Sequence, residues 1–307
     1  GKSIGTAIAL FILWPITRLL AQFGNLPSVI SRASNRAFDE GETFKPTRHD
    51  VVIASFFKSG TNWTMQIAIQ VAWRGKAEFE HIHDLVPWVE LPPRAKHFTV
   101  PVTDSLWQYC PTQLRIIKTH LPFGKIEYND AGKYVWVVRD PKDVFVSSYH
   151  FLTAVVFGPL MSPLDEWLDL FLSEDSFNGS WALHLDCGWR ARDRDNVAFL
   201  TFEEMKRDRD GAIRRIAELM GVELSAEEFD DVRELSSYEY MKSHGHQFDT
   251  VGLSPPWADA RGSMVRRGSA GSSDELLTPA QQQRIDDYWR SELQRIGSDF
   301  PYDEYYG

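Results

Sequence analysis

The feature that most constrains this chain is a short apolar run that stops at a basic, glycine-containing turn. Val51-Val52-Ile53-Ala54-Ser55-Phe56 is apolar apart from one serine. A run of that length and composition suits a strand buried on both faces, as in a parallel sheet covered by helices. Lys58-Ser59-Gly60 follows, and from Thr61 to Trp73 the residues Trp63, Ile67, Gln70 and Val71 recur at helical spacing. A strand that passes through so tight a turn into a helix points to an α/β architecture.

The alternation repeats along the chain. Leu114–Lys118, Lys133–Val138 and Asn196–Leu200 read as three further strands. Asp140-Pro141 supplies a helix cap and a first-turn proline, so a helix is expected from Lys142 onward. Another is expected over Gly211–Met220. The predicted fold class is therefore α/β, a mostly parallel central sheet flanked by helices, with a P-loop-like strand–loop–helix. Residues 50–307 read as one domain. Residues 1–49 read as an apolar N-terminal helix and a polar lead-in from Asn25 to His49.

Composition excludes several function classes. The chain has 307 residues, 43% of them hydrophobic, which suits a globular protein. Its net charge of −10 argues against a general nucleic-acid binder, which needs a basic face. Cys110 and Cys187 are its two cysteines, too few for a disulfide framework and without zinc-ligand spacing. They read as small buried hydrophobes in a reducing compartment. Ile4–Phe23 is strongly apolar but is interrupted by Pro15 and Arg18. It reads as a helix packed on the domain, as an interfacial or anchoring helix, or as a signal or span. A cytoplasmic location is expected, with peripheral membrane-surface contact through residues 4–23 left open.

Ligands of open parallel sheets bind beyond the carboxyl ends of the strands. Those ends carry Lys58, Ser59, Gly60 and Thr61, then Lys118, Thr119 and His120, then Arg139, then Thr201 and Phe202. Three of the four ends bring a cation, which suggests a polyanionic small ligand on an acidic protein. The Lys58-Ser59-Gly60-Thr61 turn has the parts of a phosphate cradle: unpaired helix N–H groups, a helix start with positive character, a glycine and two hydroxyls. The alternative is an ordinary capped helix. It is not a Walker A loop, because Phe56 and Phe57 stand where that motif needs other residues. Arg139 offers a planar donor fork, and Ser147 follows eight residues later. Here the alternative is an arginine that pairs with Asp140 or Asp143.

Together these segments resemble the cytosolic-type sulfotransferases that use 3′-phosphoadenosine 5′-phosphosulfate (PAPS). Phe57-Lys58-Ser59-Gly60-Thr61-Asn62-Trp63 resembles the family's 5′-phosphosulfate loop. Ile117-Lys118-Thr119-His120-Leu121-Pro122 resembles its catalytic strand end. The stretch from Arg139 through Ser147 resembles its 3′-phosphate motif. Phe202-Glu203-Glu204-Met205-Lys206 and Arg266-Arg267-Gly268-Ser269-Ala270-Gly271 resemble two later segments. The five occur in the family's order over most of residues 50–295.

The resemblance implies roles. Lys58, Ser59, Gly60, Thr61 and Asn62 would hold the 5′-phosphosulfate. Trp63 would stack on adenine, with Phe202 in the place of the family's tyrosine and Ser236 in that of its adenine-contacting threonine. Arg139, Ser147, Arg266, Arg267 and Gly268 would clamp the 3′-phosphate. His120 would be the base, with Lys58 and Lys118 assisting at the sulfuryl group. The reaction would pass the sulfuryl group to a hydroxyl and leave adenosine 3′,5′-bisphosphate (PAP), without a metal.

The sequence departs from the family's pattern at several points. Asn62 replaces a threonine, Phe202 lacks the hydroxyl, and Ser272-Ser273 replaces Asp-Trp. The dimer motif is not intact: Pro279 follows Thr278, and Gln282 falls where Glu is expected, so the oligomeric state stays open. Many aromatics lie between the motifs, and Val86-Pro87-Trp88-Val89-Glu90 resembles a segment near the family's acceptor pocket. The expected acceptor is a small apolar alcohol or phenol, steroid-like or lipid. Rival readings are a P-loop kinase or NTPase, a carbohydrate sulfotransferase, and a non-catalytic nucleotide-binding scaffold.

Overall fold

The computed structural model describes residues 26–40, 44–90, 99–123, 126–250, 271 and 273–307. In chain order they form α1 (Leu26–Glu40), β1 (Asp50–Ser55), α2 (Thr61–Ala72), β2 (Arg115–Thr119), β3 (Lys133–Val138) and α3 (Pro141–Phe151). Then come α4 (Leu164–Phe171), α5 (Trp181–Ala191), β4 (Val197–Thr201), α6 (Phe202–Arg207), α7 (Arg209–Met220) and α8 (Ala226–Leu235). The chain closes with α9 (Tyr238–Ser243), α10 (Pro279–Arg295) and α11 (Tyr302–Tyr306).

The four strands form one sheet in the order β2-β1-β3-β4, parallel at every pair. This is the architecture the alternating pattern predicted, with strand limits moved by about one residue. Every residue of β1 is buried: the four apolar ones in the two cores, Asp50 by pairing with Arg115 at 2.7 Å, and Ser55 by its hydrogen bond with Thr61. Side chains alternate across the sheet, so one strand feeds two cores. Val52, Ala54, Tyr134, Trp136 and Val138 pack with side chains of α3, α4, α5 and α10. Val51, Ile53, Val135 and Val137 pack on the other face with α2 and α7.

Local chemistry sets the helix starts. Asp140 accepts the Lys142 N–H at 2.8 Å, with Pro141 in the first turn, as its sequence predicted. Thr201 and Glu204 form a capping box at the start of α6. Beyond α3 the chain continues as a π-helical stretch over Leu152–Phe157.

Two readings need correction. The polar lead-in contains helix α1, whose Ser31 and Asn35 side chains donate to the Asp175 and Ser176 carbonyls. It is held by these hydrogen bonds to a loop and by Ile30, which packs against the core. Cys110 is buried, but Cys187 is only partly so; both are free thiols. The expectations placed on residues 4–23 and on Arg266, Arg267 and Gly268 lie outside the described residues.

In the strand order, β1 is flanked by β2 on one side and β3 on the other. Connections from β1 and β3 therefore leave in opposite directions and open a crevice at their carboxyl ends. The Lys58 turn and Arg139 lie at that crevice.

Candidate active site

The turn after β1 is built around two left-handed residues. Lys58 has φ 65° and Gly60 has φ 98°. A Cβ on Gly60 would stand 2.7 Å from Cδ2 of Phe202, so both the backbone and the neighbouring ring require glycine. The Ser59 N–H donates to the Phe56 carbonyl at 3.1 Å and tightens the turn. The Ser59 hydroxyl is buried and makes no hydrogen bond among the described residues. A buried hydroxyl without a partner is costly, and a bound anion would satisfy it. The Thr61 hydroxyl turns inward to Ser55 Oγ at 2.6 Å. Lys58 extends over the Phe151 ring, its Nζ 4.2 Å from the centroid.

Arg139 joins the end of β3 to this turn. It donates to the Lys58 carbonyl at 3.3 Å and to Asp143 Oδ2 at 3.1 Å, and its guanidinium lies 4.4 Å from the Phe202 ring centre. The pairing with Asp143 weighed from sequence is therefore real, and it coexists with contact to the turn. Asp143 Oδ2 also accepts the Gly271 N–H at 2.9 Å, which anchors the end of the late basic segment beside Arg139. Ser147 lies one turn beyond Asp143 on α3, on the same side of the helix.

Trp63 and Phe202 meet edge to face with centroids 5.7 Å apart. The Trp63 indole N–H donates to the Ser236 carbonyl at 2.9 Å. The Ser236 hydroxyl is fully buried and donates back to the Val232 carbonyl at 2.7 Å. Ser236 thus touches Trp63 through its main chain. The Asn62 amide donates to the Phe248 carbonyl at 3.0 Å and ties the helix start to that segment.

At the end of β2, Lys118 and His120 are both buried. His120 Nδ1 lies 2.8 Å from the Ser55 carbonyl. A carbonyl only accepts, so Nδ1 carries the proton and Nε2 keeps its lone pair. Burial holds the imidazole well below its ordinary pKa, and the charges of Lys118, His184 and Lys58 press the same way. The Lys118 Nζ rests 3.3 Å from the Trp88 ring centre. Burial brings its ammonium down to about 7, and Glu90 opposes that fall.

The turn, Arg139, Phe202, Lys118 and His120 therefore share the carboxyl end of one sheet, as the strand-end argument expected. Sequence reasoning missed Asp143 as a bridge, Phe151 as the platform for Lys58, and the Ser55 carbonyl as the partner that sets the His120 tautomer. An Arg139–Asp143 spacing of four was the available signal for the first; the other two have no local signature.

Comparison with known proteins agrees with this geometry. The family model of the sulfotransferase domain matches residues 48–297. Human sulfotransferase 2B1 is 31% identical over 265 residues, covering 83% of this chain and 68% of that protein. A retinol dehydratase solved with retinol and PAP superposes with a TM-score of 0.65 at 21% identity, over 90% of this chain and 88% of that one. Mouse sulfotransferase SULT7A1 with PAP gives 0.63 at 23% identity, over 86% and 90%. A strand–turn–helix anion cradle, a buried Lys-x-His strand end and a family match over most of the chain lead to one assignment: this protein belongs to the sulfotransferase family.

Proposed function

We propose that the chain transfers the sulfuryl group of PAPS to the hydroxyl of a small apolar alcohol or phenol, with His120 as general base. Its donor is PAPS and its nucleotide product is PAP, in keeping with its family. The residues present fit such a ligand: an orphaned Ser59 hydroxyl, a glycine cradle at a helix start, and cations from three strand ends. Lys58, Ser59, Gly60, Thr61 and Asn62 would hold the 5′-phosphosulfate. Trp63 and Phe202 would flank adenine, with Ser236 behind Trp63. Arg139, Ser147, Arg266, Arg267 and Gly268 would hold the 3′-phosphate. When bound, PAPS supplies an activated sulfuryl group on a phosphate leaving group.

The observation that carries the proposal is the His120 tautomer. Its Nδ1–H bond to Ser55 presents Nε2 as an acceptor, and its low pKa keeps that nitrogen unprotonated at neutral pH. Nε2 would take the acceptor's hydroxyl proton, a contribution of roughly 10²–10⁴-fold in rate. Lys58 and Lys118 would stabilise negative charge as it develops, in the manner of an oxyanion hole. Phe57 and Trp88 pack edge-on to His120 with centroids 6.2 and 5.5 Å away, so the base sits among apolar rings. That lining supports an apolar acceptor, and retinol in the similar dehydratase structure points the same way.

In this reading residues 50–307 are the sulfotransferase domain and residues 1–49 precede it, which the family match supports. The proposed location is cytoplasmic, with residues 4–23 available for membrane-surface contact. Liposome flotation of the full chain against one lacking 4–23 tests that contact; equal flotation refutes it. The central test is incubation with ³⁵S-labelled PAPS and a panel of 2-naphthol, a sterol, a long-chain alcohol and a sugar. Transfer to the apolar hydroxyls supports the proposal. Transfer to the sugar alone overturns the acceptor class, and absence of any transfer overturns the reaction.

A further inference from the structure

The segment Val86–Glu90 runs beside the outer edge of β2. The Lys118 N–H donates to the Pro87 carbonyl at 2.9 Å, and the Val89 N–H to the Lys118 carbonyl at 3.3 Å. Trp88 and Lys118 face each other in this parallel bridge. In a continued ladder the next donor, the His120 N–H, would reach the Val89 carbonyl. It donates instead to the Glu90 carboxylate. A side chain thus replaces the backbone acceptor where the pairing ends, and it does so at the proposed base.

We propose that Glu90 is a positioning residue for sulfuryl transfer: its buried carboxylate, at the His120 main-chain N–H and two residues past the Trp88–Lys118 bridge, fixes the strand end that carries both groups. This rests on the reading of Lys118 and His120 given above. A buried ammonium stays charged only where an opposite charge or a π face compensates its lost hydration. Lys118 has the face of Trp88. Among the described residues, the titratable groups in charge contact with it are His83, His120 and Glu90, and of these Glu90 is the acidic one. His83 stacks on Trp88 with centroids 5.8 Å apart and is itself held down to about 3, so it brings no charge at neutral pH. Lys58 and His184 face His120 and cannot supply the missing anion. Burial raises the Glu90 carboxyl, while the Trp88 side chain, then the His120 N–H, then the Lys118 charge oppose the rise. Removing the Glu90 charge would therefore leave Lys118 to lose its proton at a lower pH.

The test is the pH dependence of kcat for the native protein, Glu90→Gln and Glu90→Asp. It uses ³⁵S-PAPS and whichever alcohol of the panel above the native protein sulfates fastest. Glu90→Gln should lower kcat at pH 7.5 by about tenfold and move the alkaline limb down by about one pH unit. Glu90→Asp should restore the limb, and the Kd for PAP should stay within about threefold in both, since Glu90 lies on the base side of the site. A limb that does not move, or equal losses at every pH in both variants, overturns the inference. If Glu90→Gln does not fold, Lys118→Arg decides: guanidinium does not titrate in this range, so the limb should vanish, and its persistence overturns the inference. Full activity in Lys118→Ala would instead remove the underlying reading. An inactive Lys118→Ala with an unmoved Glu90→Gln limb would remove only the role of Glu90.

Discussion

His120 Nδ1 stands 2.8 Å from the Ser55 carbonyl, across the boundary between the edge strand β2 and its neighbour β1. That one hydrogen bond fixes which nitrogen of the ring carries the proton. It also links the proposed base to the strand that leads into the anion turn.

His120→Ala should reduce kcat by about 10²–10⁴-fold while leaving the Kd for PAP nearly unchanged. The pH profile gives a second check. The histidine's pKa is lowered, so its neutral form persists as pH falls, and the acid limb of kcat/KM belongs well below 6.5. An acid limb at or above 6.5, or substantial turnover in the alanine variant, would remove His120 from its role.

Arg139→Ala should weaken PAP binding by roughly 2–4 kcal/mol, or about 30- to 1,000-fold in Kd, because it strips a buried cation from a bound anion. The variant also removes one partner of Asp143, the carboxylate that accepts the Gly271 N–H. Titration calorimetry reads this directly; an unchanged Kd would count against the clamp.

Gly60→Ala combines a left-handed backbone with overlap of the Phe202 ring. A cost of about 1–3 kcal/mol is expected from the strained conformation, with weaker PAP binding. Phe202→Ala should cost less in the Gly60→Ala background than in the native chain, because the methyl group fills part of the space the ring leaves. A Gly60→Ala protein that melts and binds like the native one would contradict the close approach.

Gly188 lies where α5 crosses the sheet, and a Cβ there would run into the Trp136 indole. Trp136 is fully buried and donates to the His184 carbonyl at 3.0 Å, so it has little freedom to withdraw. Gly188→Ala should cost about 1–3 kcal/mol by overpacking, seen as a lower urea midpoint. A midpoint equal to the native one would show that α5 can shift at no cost.

Lys58, Lys118 and the loop N–H groups are proposed to meet the charge that a metal ion meets in other transfers. EDTA should leave the rate of sulfuryl transfer unchanged. Inhibition by EDTA that magnesium reverses would require a metal in the mechanism.

Local chemistry determined much of this protein. Apolar runs located the four strands, and Asp140-Pro141 marked the start of α3. Parallel strands place their carboxyl ends together, so Lys58, Lys118, His120 and Arg139 could be assigned to one mouth from their positions alone. Only the tertiary structure decided what those groups do to each other. Arg139 reaches the Lys58 carbonyl because β1 and β3 are neighbours. His120 takes its tautomer from Ser55, and Glu90 reaches His120 where a backbone ladder stops. Helix α1 rests on polar contacts to a loop some 140 residues away in sequence. Contacts of that kind join residues with no shared period, and their energies arise from burial and geometry that exist only once the chain has packed.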